Sequence, residues 1–445
     1  MNLRDAMPVT PGRPWRRALA WLALLAPFFY ASYGLANHLA ALRTGVPSMV
    51  FEWEHQVPFW AWTIFPYWSL NAFYGLSLLL ARSRHELDRH GLRLLTAQVM
   101  AVACFILWPL QFRFGQPAVD GAAGVLFDAL RGFDKPFNQA PSLHITLVVI
   151  LWDLYRRLVR GRIARLVLHT WALAICGSVL TTYQHHFIDM PTGALLGVLC
   201  VWAWPLERRV SMRQAWRWSS DPRRRLLALR YAAGAAALAA LAMVGGGAAL
   251  WLLWPAVSLL LVALNYAALG AHGFRMDARG RMAWPARVLL APYRLAARAN
   301  ALLWTRRLPP LREVLPGLWL GSLPRLPRPA PGRRHRTTVV SLCAELQAPQ
   351  RTRCHCLPWL DLVPASPAAL RRAAAVIDRA VLRGDPVVVG CALGFSRSVA
   401  ALACWMARSG RAPDAESALR ELRRVHPQMV LNADWRAALR QAVRA

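Results

Sequence analysis

Cys391 stands six residues before Arg397 in Gly390-Cys391-Ala392-Leu393-Gly394-Phe395-Ser396-Arg397-Ser398, so one short glycine-bearing loop carries both a sulfur nucleophile and a guanidinium. Phosphoryl transfer needs that pairing, a nucleophile in line with phosphorus and fixed donors around its charged oxygens. In this pattern Cys391 is the nucleophile, Arg397 a bidentate phosphate clamp, and Ser398 a hydroxyl that helps release the phosphoenzyme. Gly394 and Ser396 are loop positions whose backbone cradles the phosphate. The leaving oxygen needs a proton, and Asp361 in Leu357-Pro358-Trp359-Leu360-Asp361-Leu362, upstream of the loop, is a suitable acid.

The flanking segments must position this loop. Val387-Val388-Val389 follows the turn residues Asp385-Pro386 and reads as a buried strand, while Ser396 to Arg408 has helical composition and a Gly410 stop. Strand, tight loop and helix in that order aim backbone N–H groups and a helix N-terminus at one anion, and the same field favours a thiolate at Cys391. A buried core cysteine with a surface arginine would explain the spacing alone. It leaves the strand, the helix and the Pro-Trp-x-Asp segment unaccounted for.

On these residues, the chain from about 313 to 445 resembles the dual-specificity branch of the protein tyrosine phosphatases. Leu315-Pro316-Gly317-Leu318-Trp319-Leu320-Gly321-Ser322 is similar to the opening strand of that family, and Val339-Val340-Ser341-Leu342-Cys343 to its second. The resemblance implies a cysteinyl-phosphate mechanism with no metal and no cofactor. One position departs: Gly390 stands where a histidine usually precedes the nucleophile.

A second constellation lies upstream, in Phe137-Asn138-Gln139-Ala140-Pro141-Ser142-Leu143-His144 and Tyr183-Gln184-His185-His186-Phe187-Ile188-Asp189. His185 is the candidate nucleophile, with Asp189 four residues on to fix its tautomer. His144 is the acid for the leaving oxygen, and Ser142 a donor to the phosphate. These residues resemble the type 2 phosphatidic acid phosphatase superfamily, nearest the branch containing inositol phosphorylceramide synthases, over about residues 60–206. That resemblance implies a histidine phosphoenzyme in a membrane core of six helices. Two motif positions differ. Val179 follows Ser178 where an arginine is usual, and Gln116-Pro117 ends the place of the first basic motif. The phosphate charge then falls to some of Arg113, Arg131 and Lys135, which the sequence does not rank.

With 56% hydrophobic residues and 21 tryptophans among 445 residues, the chain reads as a membrane protein carrying a soluble domain. Stretches 18–36, 58–81, 94–112, 142–156, 166–183, 187–206, 226–244 and 248–268 are apolar enough to span. The net charge of +32 comes almost wholly from arginine, since Lys135 is the only lysine. Arginines cluster at 13–17, 82–93, 156–165 and 208–225, in alternate inter-span segments, and the positive-inside rule makes the N-terminus, those loops and the C-terminal domain cytoplasmic. The expected location is therefore the cytoplasmic membrane, crossed many times. No nucleic-acid motif accompanies the charge. The cysteines lie in spans or on the cytoplasmic side, which argues against structural disulfides, and Cys354-His355-Cys356 lacks a second ligand pair for zinc.

The expected fold is multidomain: an all-α polytopic membrane helical bundle followed by a soluble α/β phosphatase domain with a central sheet flanked by helices. Its parts are a membrane phosphatase-like domain at 1–206, an added transmembrane hairpin at 207–269, a basic interfacial linker at 270–312 and the dual-specificity-like domain at 313–445. In the linker, apolar residues such as Trp284, Leu289 and Leu303 alternate with arginines, which suits either a helix on anionic lipid or a plain linker. Segments 366–382 and 413–424 read as helices and 324–335 as a loop. The expected function is a bifunctional membrane phosphatase, with an outward histidine site for lipid phosphate or pyrophosphate and a cytoplasmic cysteine site for phosphoprotein or phospholipid. Two alternatives stand beside it: head-group phosphotransfer in the membrane half, and a non-catalytic scaffold or sensor with one degenerate half. Cys343, closing a strand beside that of Cys391, is a possible redox partner or a core residue. Nothing in the sequence sets an oligomeric state.

Overall fold

Apolar runs closed by arginines and by Ser, Asp or Gly turns become helices throughout the first two hundred residues. The computed structural model describes residues 13–207, 212–327, 337–349 and 352–444. The chain divides into two compact units, one of Met1–Ser211 with Gly246–Ala248, the other of Met212–Gly245 with Ala249–Ala445.

Among the described residues the first unit has helices as its named elements, with α1 (Trp15–Ala41), α2 (Ile64–Leu79), α3 (Arg84–Leu107), α4 (Gly121–Phe133), α5 (Leu143–Leu158), α6 (Arg162–Thr181) and α7 (Asp189–Ala203). Two glycines let α5 and α7 approach closely. A Cβ at Gly193 would lie 2.4 Å from the Ser142 carbonyl oxygen, and one at Gly197 2.8 Å from that of Thr146. The Thr146 hydroxyl donates to the Gly193 carbonyl at 2.9 Å across the same seam. At the basic end of the bundle Arg93 of α3 pairs with Asp153 of α5 at 2.9 Å, both side chains wholly buried. Helix α4 falls within what the sequence presented as an outer loop, and buries Phe127 and Leu130.

The second unit begins with α8 (Met212–Ala215), α9 (Pro222–Gly245) and α10 (Leu253–Leu264), then a π-helical turn at Asn265–Leu269, α11 (Trp284–Leu289) and α12 (Ala291–Thr305). A mixed sheet follows, from β1 (Leu311–Leu315), β2 (Leu318–Ser322), β3 (Thr338–Cys343), β4 (Arg353–Trp359) and β5 (Val387–Cys391), in the order β1-β2-β5-β3-β4. β1 is antiparallel to β2, which it meets through a turn at Gly317 (φ +81°); the other neighbours are parallel. Helices α13 (Pro367–Leu382), α14 (Arg397–Arg408), α15 (Ala415–Val425) and α16 (Ala433–Arg444) complete the unit. Ser366 and Asp414 cap α13 and α15 by accepting from Ala369 N and Ser417 N, at 3.3 and 2.7 Å.

Each of the eight expected spans contains helix, but among the described residues five helices are long and apolar enough to cross a membrane: Trp15–Ala41, Arg84–Leu107, Arg162–Thr181, Pro222–Gly245 and Gly247–Phe274. Helices α2, α5 and α7 have 16, 16 and 15 residues, shorter than a usual crossing, and α5 and α7 bury about half their residues inside the bundle. The 270–312 segment is neither one surface helix nor a plain linker. It turns back at Asp277–Arg281, where the Ala278 carbonyl accepts from Cys356 N of edge strand β4 at 2.8 Å. Of the expected loop at 324–335, residues 328–335 lie outside the described residues, as do Arg208 and Arg209.

Candidate functional site

Strand β5 carries Cys391 to the sheet's end, and the chain reverses through Gly394 (φ +86°) into α14, whose first residue is Arg397. Gly394 is required there, because its φ is left-handed and a Cβ would also meet the Gly321 carbonyl oxygen at 3.2 Å. The Gly394 N–H donates to the Cys391 sulfur at 3.2 Å, and the Ser398 hydroxyl lies 3.3 Å from it. The amide directs positive charge density at the sulfur. Ser396 takes the N-cap position of α14 but accepts no side-chain cap bond, which leaves the first-turn amides of α14 directed at the loop. Gly390 fits because β2 crowds it: a Cβ there would lie 3.1 Å from Leu323 Cδ2 and 3.3 Å from the Gly321 oxygen.

Arg397 is 1% exposed and held by three groups. Glu345 grips it as a fork, with Nη1 to Oε2 at 3.0 Å and Nη2 to Oε1 at 2.7 Å, and the Trp359 carbonyl accepts from Nη1 at 3.1 Å. Asp361 Oδ1 lies 2.9 Å from Nη2. The Nε–H is buried and has no partner among the described residues, a donor left for an anion on the loop. Burial opposes the charge on Arg397, but Asp361 and Glu345 outweigh it and hold its pKa well above the usual value. Burial also works against Glu345, and there Arg397 prevails and holds the carboxyl below its usual range. Asp361 goes the other way. Burial raises its pKa, Glu345 adds to that, and Arg397 only partly offsets them. Arg397 thus lies between a carboxyl biased towards ionisation and one biased towards the proton, at the start of the helix that follows the Cys391 loop.

The expected site residues fall in two clusters, Cys391 with Ser398 and the Gly394 N–H, and Arg397 with Asp361, joined by the loop in which Ser396 precedes α14. Glu345 was not singled out in the sequence, although it lies two residues past β3, at the end where the loop after β5 must also sit. Cys343 is separated from Cys391. Cys391 packs with Val387 and Val389 on one face of the sheet, Cys343 with Val388 and Ala392 on the other. Cys343 is wholly buried in that cluster, and burial pushes its thiol pKa well up.

In the first unit, the α5–α7 seam brings the two histidine segments together. His185 Nδ1 is 3.2 Å from Asp189 Oδ2, which also accepts from His186 N at 3.0 Å. Ser142 is the N-cap of α5, where its hydroxyl accepts from Ile145 N, and its own N–H donates to the Asp189 carbonyl at 3.0 Å. The His144 ring stacks on Tyr67 at 3.9 Å, and its buried Nε2 has no partner among the described residues. The loop is braced by Glu54, which meets His186 Nδ1 at 3.0 Å and accepts from Phe187 N at 3.0 Å. Burial acts against the Glu54 charge, yet these bonds outweigh it and hold its pKa below the usual range.

Of the basic candidates, Arg113 touches this cluster through its backbone, whose N–H donates to His186 Nε2 at 3.4 Å. Arg113, Arg131 and Lys135 are exposed, and Arg131 pairs with Asp128 at 2.5 Å. Val179 is fully buried in an apolar cluster with Ile64, Tyr67, Phe127 and Ile145. Gln116 has a structural task, donating to the Thr182 and Tyr183 carbonyls at 3.0 and 3.1 Å where α6 ends. Asp134, which the sequence reading passed over, accepts from the Tyr33 hydroxyl at 2.9 Å. Burial pushes its pKa up to about 6, with His185 close enough to pull it back in part. No group of three or more His, Cys, Asp or Glu that could hold a metal occurs among the described residues.

No protein-family model matches the chain. Among solved structures it is similar to human DUSP28, at 24% identity over 31% of this chain and 97% of that chain, with a TM-score of 0.25. It is similar to Tk-PTP in the active form at 21% identity, over 31% of this chain and 98% of that chain, with a TM-score of 0.27. A third neighbour is PTPMT1 in complex with PI(5)P, at 13% identity over 31% of this chain and 96% of that chain, with a TM-score of 0.26. The structural neighbours are dual-specificity and tyrosine-phosphatase-like proteins, each matched over under a third of this chain.

Proposed function

We propose that this chain is a membrane-borne phosphatase whose second unit hydrolyses phosphomonoesters at Cys391. The observation that carries the reading is the buried Arg397 fork, set by Glu345, with an unpartnered Nε–H on the loop that bears Cys391. In the first step the Cys391 sulfur attacks phosphorus, an S–P bond forms and the ester P–O bond breaks. The leaving oxygen takes the proton of Asp361. Water then attacks the cysteinyl phosphate, its proton goes to the Asp361 carboxylate, and phosphate leaves with the sulfur again free. Ser398 and the Gly394 N–H stabilise charge on the departing sulfur.

The first unit is proposed as a lipid phosphate or pyrophosphate phosphatase acting through His185, with Asp189 orienting it and His144 as acid. A second reading of that unit, as a non-catalytic scaffold, is favoured by the exposure of Arg113, Arg131 and Lys135. The experiment is phosphate release by the purified full chain from an aryl phosphate and from a short-chain lipid phosphate. Cys391→Ser abolishes aryl phosphate hydrolysis, and His185→Ala abolishes lipid release that survives Cys391→Ser. Full aryl activity in Cys391→Ser refutes the cysteine mechanism. Unchanged lipid release in Cys391→Ser/His185→Ala makes the first unit a scaffold.

A further inference from the structure

The loop that carries the acid of the cysteine site is bonded to the helical hairpin of the same unit. The Tyr266 hydroxyl, in the turn that ends α10, donates to the Asp361 carbonyl at 3.0 Å. Tyr266 is itself fixed from both sides. Its ring stacks on Tyr231 of α9 at 5.5 Å, and its carbonyl accepts from Arg224 Nε, at the start of α9, at 3.1 Å. Tyr293 of α12 meets Tyr231 edge-on at 5.8 Å, and Trp254 of α10 donates to the Val288 carbonyl at 3.0 Å. The phosphatase fold therefore does not swing on a free tether.

The length of the hairpin gives this contact a depth. From the glycine turn at Gly245-Gly246-Gly247 to Tyr266 is about 20 residues, which at about 1.5 Å per residue is roughly 30 Å, the thickness of a bilayer's hydrocarbon core. With the glycine turn at one interface, Tyr266 stands at the other, beside Arg224, where an arginine and a tyrosine are both favoured. Asp361 is then held at the level of lipid head groups. A separate feature points the same way. Leu362, the next residue, is 65% exposed with φ +57°, so the acid loop holds an apolar side chain out in a backbone conformation that leucine rarely adopts.

We infer that the cysteine site works at the bilayer surface on a phosphomonoester carried by a membrane lipid, with Tyr266 as a positioning residue for the acid loop and Leu362 entering the head-group layer. This rests on the reading of Cys391 as the nucleophile. Tyr266→Phe removes the bond to the loop and keeps the ring in place. The loop then holds its acid less well, so kcat for an alkyl phosphate falls more than kcat for p-nitrophenyl phosphate, whose leaving group needs little protonation.

The test uses the full chain in phospholipid mixed micelles and counts only phosphate release that Cys391→Ser removes. Phosphatidic acid is the lipid probe, and a soluble phosphotyrosine peptide and p-nitrophenyl phosphate are the comparisons. We expect kcat/KM for phosphatidic acid to exceed that for the peptide at least about tenfold, and lipid hydrolysis alone to fall when carrier phospholipid dilutes the surface. Leu362→Asn suits the left-handed backbone and should lower the lipid-to-peptide ratio about tenfold, the worth of burying most of one leucine. Peptide turnover equal to or above that of the lipid, a ratio unmoved by Leu362→Asn, or a Tyr266→Phe enzyme with the parent's leaving-group dependence overturns the inference. If Cys391→Ser removes release from none of the substrates, the cysteine mechanism itself fails and this inference with it.

Discussion

Glu345→Gln keeps the shape of the side chain that holds Arg397 and removes its charge. The carboxylate accepts two bonds from the guanidinium, at 3.0 and 2.7 Å, with both side chains almost fully buried. An amide has one oxygen for the two N–H groups and sets its own NH2 against the other, so one bond is lost and two donors face each other. Charge-assisted bonds contribute about 1.5–3 kcal/mol each, and breaking a buried ion pair costs about 3–5 kcal/mol. Asp361, 2.9 Å from Nη2, still offers the guanidinium an acceptor oxygen, which puts the cost near the lower end, about 3 kcal/mol. At about 1.4 kcal/mol per tenfold in rate, kcat/KM for an aryl phosphate falls on the order of a hundredfold. A guanidinium displaced by about 1 Å has a similar effect on a phosphoryl group that must stay in line. The assay is steady-state aryl phosphate hydrolysis by the full chain, with Arg397→Lys and the double variant completing a cycle. The effects should be strongly non-additive, because Arg397→Lys has already lost the fork that Glu345 grips. A fall in Glu345→Gln below about threefold, or additive single effects, refutes the claim that Glu345 sets the arginine.

Asp361 must carry a proton to act as an acid, and its raised pKa keeps that proton to higher pH than an ordinary carboxyl does. Hydrolysis of alkyl phosphates should therefore decline on an alkaline limb lying above the usual carboxylate range, and Asp361→Asn should lower the rate and flatten that limb. An unchanged limb in Asp361→Asn assigns the proton to another group. For sidedness, Ala118→Cys in a cysteine-depleted chain should react with an impermeant maleimide in intact cells, and Arg279→Cys only after permeabilisation. The reverse pattern overturns the orientation inferred from the arginines.

The candidate cysteine site of the second unit was legible in the sequence because it is local. The proposed nucleophile, its glycine turn and its arginine lie within one loop, the strand and helix on either side announce themselves by apolar runs and a glycine stop, and the proposed acid sits in a short segment nearby. Apolar length likewise marked the helices, since burial of that much hydrocarbon leaves few other structures. What the sequence could not decide was which distant side chains face one another. Glu345 is an ordinary acidic residue after a strand until the parallel order β5-β3-β4 brings it beneath Arg397. Cys343 looked adjacent to Cys391 along neighbouring strands, and only the register, pairing Ser341 with Gly390, puts the two on opposite faces. In the first unit spacing alone suggested His185 with Asp189, but the exposure of Arg113, Arg131 and Lys135 and the placing of Asp134 depend on how the helices close over the loops. Helical periodicity shows that a segment has an apolar face; long-range packing selects its neighbour, and the α5–α7 seam and the bond from Tyr266 to the Asp361 carbonyl are choices of that kind.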